Sequence, residues 1–127
     1  MAKTRQEMEQ EIIKWLQEQK AIYDENDNDY REFKRIQLEN GVDPSFFENE
    51  FYYNGYIYAN DVHNIVAFVL FGKNAYRHVA RNSQHGTYDE DLLTKEEWDK
   101  VYKVERGMTA KGIIKPSKSG AMAKVLI

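Results

Sequence analysis

Three histidines, His63, His78 and His85, are the only side chains in this sequence that normally exchange a proton near neutral pH. No two of them stand four residues apart, and none brackets a glutamate in the spacing of a zinc protease. His85 lies close to Asp89 and Asp91 in a polar stretch, and a histidine beside a carboxylate is a common general acid–base pair. One hypothesis is therefore a small hydrolase or transferase built around His85. The alternative is an ordinary surface histidine in a polar loop, and the sequence predicts neither a metal site nor a cofactor.

A run of acidic and amide side chains that starts at Asp24 has part of the spacing of a calcium-binding loop. Asp24, Asn26 and Asn28 occupy the first, third and fifth positions. The sixth position requires glycine and holds Asp29, and the twelfth requires glutamate and holds Arg35. The run is therefore predicted to be a turn between two helices rather than a cation site.

Basic side chains concentrate in the second half of the chain. Residues 62–127 carry 11 Lys and Arg against 7 Asp and Glu, whereas residues 1–61 carry 7 against 14. Clustered Lys and Arg neutralise phosphates, so nucleic-acid binding is an alternative function. The candidate residues for it are Lys73, Arg77, Arg81, Lys111, Lys115 and Lys118. The pI of about 5.6 lies below the value typical of a nucleic-acid-binding domain.

Four of the nine tyrosines crowd around the dipeptide Asn54-Gly55, namely Tyr52, Tyr53, Tyr56 and Tyr58. Asn-Gly favours the type I′ turn, so this segment predicts a β-hairpin. A sheet that packs on helices buries one face, and tyrosine is enriched at protein interfaces. We therefore predict that these four rings contact a protein partner. The alternative is that they cover the first helix or each other.

The composition indicates one folded domain over residues 1–127. The chain is 42% hydrophobic and 31% charged with two prolines, which is not the composition of a disordered chain. The absence of Cys excludes disulfides and thiolate metal sites and favours a reducing compartment. The N-terminal residues lack the pattern of a signal peptide, and the longest apolar run, residues 65–71, is too short to span a bilayer. We expect a cytoplasmic protein without a membrane partner.

The first part of the chain predicts two helices. Apolar side chains recur at three- and four-residue steps over residues 5–23. Asp29 and Glu32 have the spacing of a capping box for a second helix, which Gly41 would end. Pro44 suits the start of a single helical turn.

The middle of the chain predicts an antiparallel β-meander. After the hairpin, the β-branched and aromatic residues 64–71 fit a strand that is buried on both faces. Residues 75–81 are compatible with a strand or a helix, and the preceding glycine-containing turn favours a strand. Residues 82–93 are predicted to be a loop.

The last third predicts a helix followed by strands. Thr94 and Glu97 form a capping box for a third helix that ends near Gly107, and residues 113–114 and 121–127 predict short strands. The predicted fold class is α+β: two N-terminal helices, an antiparallel β-meander, a third helix and a C-terminal strand or hairpin.

The composition, rich in Asn, Asp, Lys and Tyr and without Cys, is similar to that of accessory proteins of bacterial phages and other mobile elements. Such proteins often occupy the surface of a host protein. The leading hypothesis is therefore a non-enzymatic protein-binding protein, an inhibitor or adaptor. It would use its acidic helical half or the tyrosine hairpin against a partner, for example a host nucleic-acid enzyme. Direct nucleic-acid binding and the hydrolase or transferase around His85 are the alternatives. The sequence is also compatible with a homo-oligomer.

Overall fold

The computed structural model of the protein describes residues 3–81 and 85–127, and for residues 78–81 and 85–90 it describes the backbone alone. The described residues form three α-helices, a three-stranded antiparallel sheet and a two-stranded one. This architecture confirms the predicted α+β class. The predicted meander is wrong, as are several of the element boundaries.

The N-terminal helix α1 (Arg5–Glu39) is continuous for 35 residues, or about 52 Å. Thr4 and Glu7 form its capping box, and Gly41 follows its end with a φ of 86°. The predicted division into two helices is wrong, because the Asp27 carboxylate forms hydrogen bonds with a distant segment of the chain rather than with its own neighbours. Its Oδ1 and Oδ2 accept the backbone N–H groups of Tyr53 and Asn54 at 2.8 and 2.9 Å, so it does not form a local turn.

A short 3₁₀ helix (Pro44–Phe47) follows, which confirms the predicted single helical turn. The turn at Asn54-Gly55 also forms: both residues have positive φ (53° and 87°), and the Tyr56 N–H donates to the Tyr53 carbonyl at 3.0 Å. The predicted hairpin is wrong, because Asp27 takes the N–H groups that precede the turn.

Strand β1 (Tyr56–Tyr58) pairs instead with a strand near the C-terminus. Its partner is β5 (Met122–Val125), whose other edge pairs with β4 (Ile114–Pro116). The two C-terminal strands confirm the predicted C-terminal hairpin, whose turn lies between Pro116 and Met122.

Helix α2 (Ala59–Phe71) occupies the segment that was predicted to be a buried strand, so that prediction is wrong. A short apolar run is compatible with a buried strand or a buried helix. Asp61 favours the helix, since its Oδ2 accepts the N–H of Tyr58 at 3.1 Å and caps the first turn. Gly72 then ends the helix in the left-handed conformation, with a φ of 72°.

Strand β2 (Tyr76–Arg81) confirms the predicted strand and pairs with β3 (His85–Asp91), which replaces most of the predicted loop. Residues 82–84 of that predicted loop lie outside the described residues. Helix α3 (Lys95–Ala110) begins at the predicted capping box of Thr94 and extends three residues beyond Gly107.

The hydrophobic core lies between the first half of α1, the helices α2 and α3, and the three-stranded sheet. Its fully buried side chains include Ile12, Leu16, Ile57, Val62, Val66, Val101 and Val125. In α1, all of which is described, no side chain after Asp27 is buried. The second half of this helix therefore stands outside the core.

Candidate functional site

The end of α1 and the segment after it form a limb outside the core, which we call the distal limb (residues 24–52). Phe47 is 9% exposed and packs on Tyr30 with ring centroids 6.3 Å apart, and Tyr30 contacts Tyr52 at 5.4 Å. These rings hold the returning segment against the helix. The limb has nine acidic and three basic residues, a net charge of −6 against −3 for the whole chain.

Helix α1 also carries exposed apolar side chains on a face next to the one that it packs into the core. Trp15, Ile22, Phe33 and Ile36, which we call the apolar stripe, are 40%, 53%, 52% and 40% exposed. At 100° per residue they lie within about 60° of one another around the helix and extend for about 32 Å. The Trp15 ring packs edge-on against Phe68 of α2 at 6.5 Å, and Phe68 is itself 49% exposed. A second helix therefore adds apolar surface beside the stripe.

A row of five glutamates borders the apolar stripe, and we call it the glutamate row. Its members recur at every seventh position: Glu11, Glu18, Glu25, Glu32 and Glu39. Three of them follow Trp15, Ile22 and Ile36 by three residues, a spacing that makes neighbours on a helix surface. Residues seven apart drift by only about 20° per repeat, so the row and the stripe run side by side.

The glutamate row is only partly neutralised by the chain itself. Arg35 forms ion pairs with Glu32 and Glu39, and Lys3 pairs with Glu11. Glu18 and Glu25 form no ion pair with any described residue, and both are exposed. The stripe thus has an acidic border whose central charges are available to a partner.

The four predicted partner-binding tyrosines do not share one hairpin face. Tyr53 stacks on Tyr23 of α1 with ring centroids 4.4 Å apart, and Tyr58 contacts both rings edge-on at 6.0 Å. Tyr52 lies under the Arg31 guanidinium at 4.5 Å, whereas Tyr56 lies beside Lys124. Tyr58 is 43% exposed and the other three are half-buried. Their role in partner binding stays a prediction.

Tyr23 links α1 to the start of α2. Its hydroxyl donates a hydrogen bond of 2.6 Å to Asp61 Oδ2. Burial of the ring, followed by this hydrogen bond, raises the pKa of Tyr23 well above its ordinary value. The sequence analysis did not single out Tyr23, because its partners lie 30 or more positions away.

The predicted basic residues are dispersed over the molecule. Lys73 pairs with Glu97 at 2.9 Å, and Lys111 pairs with Glu9 at 2.7 Å, so two of the six charges are neutralised. Lys115 and Lys118 are exposed on β4 and on the turn that follows it. Arg77 is exposed on β2, and the side chain of Arg81 lies outside the described residues. Binding of nucleic acid by this set stays a prediction.

A cleft of about 400 Å³ lies between α2, α3 and the C-terminal hairpin. His63 and Glu105 line it, with Nδ1 and Oε1 2.7 Å apart. Burial raises the pKa of Tyr102, which lies at the same cleft, and the Glu105 carboxylate adds to this effect. Sequence reasoning placed a histidine–acid pair at His85, whose side chain lies outside the described residues, as does that of Asp89. Asp91 is exposed at the end of β3.

No protein-family model, curated protein or solved structure matches this chain. Among the described residues, no three His, Asp or Glu side chains are grouped so that they would hold a metal ion. In the same part of the chain, no helix combines the length and the apolar character that crossing a membrane requires. Sequence reasoning did not single out the apolar stripe or the glutamate row as a candidate site. The seven-residue repeat of Glu was the signal that would have revealed them.

Proposed function

We propose that this protein is a non-enzymatic protein-binding protein, an inhibitor or adaptor, that binds a basic amphipathic helix of its partner along α1. The apolar stripe is the observation that supports this most directly. Four large apolar side chains, 40–53% exposed, lie in one line on a helix that packs an adjacent face of its first half, at Ile12 and Leu16, in the core. An exposed apolar patch with a polar rim is typical of an interaction site, and an amphipathic helix is a common occupant of such a surface.

The glutamate row supports the basic character of the partner. A helix that lays its own apolar face along the stripe would bring its flanking side chains beside Glu18 and Glu25. Lys or Arg at seven-residue spacing would meet these carboxylates, as charged flanking positions do in paired helices. A second copy of the chain would instead bring glutamates against glutamates, so the charge pattern disfavours self-association through this face.

The test is a titration with two synthetic helical peptides. Both carry the same apolar face, and they differ only in having lysines or glutamates on its borders. We expect the lysine peptide to bind and the glutamate peptide to bind about tenfold more weakly. At Glu18 and at Glu25, an attraction of about 0.4 kcal/mol is exchanged for a repulsion of similar size, which gives about that ratio. Added salt should weaken binding of the lysine peptide, because exposed charges are screened.

Variants of the chain locate the contact. Ile22→Ser with Ile36→Ser should abolish binding while the unfolding midpoint stays unchanged, since both side chains are already exposed. Leu126→Ser is the matched control, because Leu126 is 47% exposed outside the stripe. Glu18→Lys with Glu25→Lys should reverse the peptide preference, whereas Glu48→Lys with Asp99→Lys should not.

Absence of binding to the lysine peptide would overturn the proposal, as would equal binding of the two peptides. Loss of binding in the Leu126 control would show that the contact lies elsewhere. A dimer of the free chain in analytical ultracentrifugation that Ile22→Ser dissociates would assign the stripe to self-association and equally exclude the proposed partner.

A further inference from the structure

Cationic side chains converge on the turn at Gly55, on the opposite side of α1 from the apolar stripe. Gly55 has a φ of +87°, and the Cε atoms of Lys124 and Lys20 lie 3.7 and 3.8 Å from the position that a Cβ would take. A depression of about 390 Å³ opens here, lined by both lysines, by Arg31 and by the amides of Asn28 and Asn54. Lys20 lies about 160° around the helix from Ile22, so a helix bound on the stripe would leave this depression open.

Lys124, which lines the depression, has a second lysine as its cross-strand neighbour. Lys115 stands directly opposite Lys124 in the register of β4 and β5, and both are exposed. Like charges placed directly opposite on neighbouring strands destabilise a sheet. No ion pair among the described residues includes Lys20, Lys115 or Lys124.

Two carboxylates, Asp24 and Asp27, also line the depression and offset two of its three positive charges. Asp27 accepts the backbone N–H groups of Tyr53 and Asn54 with its two oxygens. Asp24 makes no ion pair with a described residue, and it lines the depression together with Lys20, Arg31 and Lys124. The balance of the side chains that line the depression is therefore positive.

Hydrogen-bond donors complete the site. The Arg31 guanidinium donates to the Oδ1 atoms of Asn28 and Asn54 at 3.2 and 3.5 Å. Because each amide oxygen is turned towards Arg31, each Nδ2 remains a donor, and neither donates to another described residue. Two ammonium groups, a guanidinium and two amide N–H₂ groups thus surround one small space.

We propose that this depression binds a phosphate group. A phosphate dianion offers acceptor oxygens in several directions, so it can use ammonium, guanidinium and amide donors that approach from different sides. A single carboxylate would be satisfied by Arg31 alone and would leave the repulsion of the lysines in place. The phosphate has three possible sources, namely the free anion, a nucleotide, and the backbone of a single-stranded nucleic acid. Lys115, which faces Lys124 without lining the depression, is one of the residues that the sequence analysis assigned to nucleic-acid binding.

The experiment is thermal unfolding of the full chain in sodium phosphate and in sodium chloride at matched ionic strength. Phosphate at about ten times its Kd should raise the melting temperature by about 4 °C relative to chloride. The double variant Lys20→Gln, Lys124→Gln should lose this rise, and the control Lys14→Gln, Lys118→Gln should keep it. An equal rise in the double variant would mean nonspecific ion binding and would overturn the proposal, as would no rise in the wild type.

Lys115→Gln alone is an independent test in chloride, since it removes the repulsion with Lys124 and leaves the contact of Lys124 with Tyr56 in place. It should melt above the wild type, and a lower melting temperature would contradict the electrostatic basis of the site. Titrations with a nucleoside monophosphate and with a single-stranded oligonucleotide that lacks terminal phosphates then distinguish the sources. Tighter binding of the nucleoside monophosphate would identify a nucleotide as the ligand, and tighter binding of the oligonucleotide would identify the nucleic-acid backbone. Equally weak binding of both would identify the free anion.

Discussion

Asp27 shows what a single polar residue contributes to this fold. It is 4% exposed, the one buried charged residue among those described, and it lies in the middle of α1. Its carboxylate accepts the N–H groups of Tyr53 and Asn54, which no strand partner satisfies. Asp27 therefore fixes the distance between the long helix and the turn that leads into β1.

Substitution of Asp27 tests this role. Asp27→Ala leaves two N–H groups without an acceptor, and we expect a loss of about 3 kcal/mol in the free energy of unfolding, measured by urea titration. Asp27→Asn keeps one acceptor and should lose less. Asp29→Asn, two positions away and exposed, should change stability by under about 0.5 kcal/mol. Equal effects of the Asp27 and Asp29 substitutions would contradict the role of Asp27.

Tyr23 makes the free energy of unfolding depend on pH in the alkaline range. The native state raises the pKa of Tyr23 through burial and the bond to Asp61, so the hydroxyl stays protonated where the unfolded chain ionises. Its contribution is complete below the unfolded pKa of about 10 and is lost as the pH rises above it. Between pH 9 and 11, the free energy of unfolding should therefore fall more for the wild type than for Tyr23→Phe. Parallel pH profiles of the two proteins would refute this coupling.

At the scale of the element, α1 is the component that organises both proposed surfaces. Its first half supplies Ile12 and Leu16 to the core, and its second half forms part of the distal limb. Since turn-prone residues lie at its centre, the continuity of this helix depends on tertiary contacts as well as on propensity.

Asn26, exposed in that central stretch, tests the continuity of α1. Asn26→Pro should destabilise the protein by about 3 kcal/mol or more, because proline removes a helical hydrogen bond and clashes with the preceding turn. Asn26→Ala should stabilise it by about 0.5 kcal/mol through helix propensity. The free energy of unfolding and the circular dichroism at 222 nm measure both effects. A turn at this site would tolerate the proline.

On the scale of the whole molecule, some opposite charges form ion pairs and others lie on different sides of α1. The ion pair of Lys111 with Glu9 brings the basic C-terminal half against the acidic N-terminal half. The glutamate row and the lysines around Gly55 nevertheless remain on different sides of α1. The fold thus presents an acidic apolar surface and a basic polar depression, which suit two ligands of opposite charge.

Local chemistry was sufficient to predict the elements whose signals lie within a few residues. The capping box at Thr94, the turn at Asn54-Gly55 and the stop at Gly41 formed as expected, because the groups that make them are sequence neighbours. The α+β class and the C-terminal hairpin followed from such signals. The repeat of Glu at every seventh position was also present in the sequence, and it acquires meaning only once residues 11–39 are known to form one helix.

Long-range contacts decided the rest. Asp27 forms part of a helix because it reaches N–H groups 26 and 27 residues away, and β1 pairs with β5 from the far end of the chain. The apolar run of residues 64–71 became part of helix α2 because of the cap and the neighbours of that helix, since its composition suited a strand equally well. Which rings and charges remain exposed depends on how these elements pack, so both proposed binding surfaces are products of the tertiary structure.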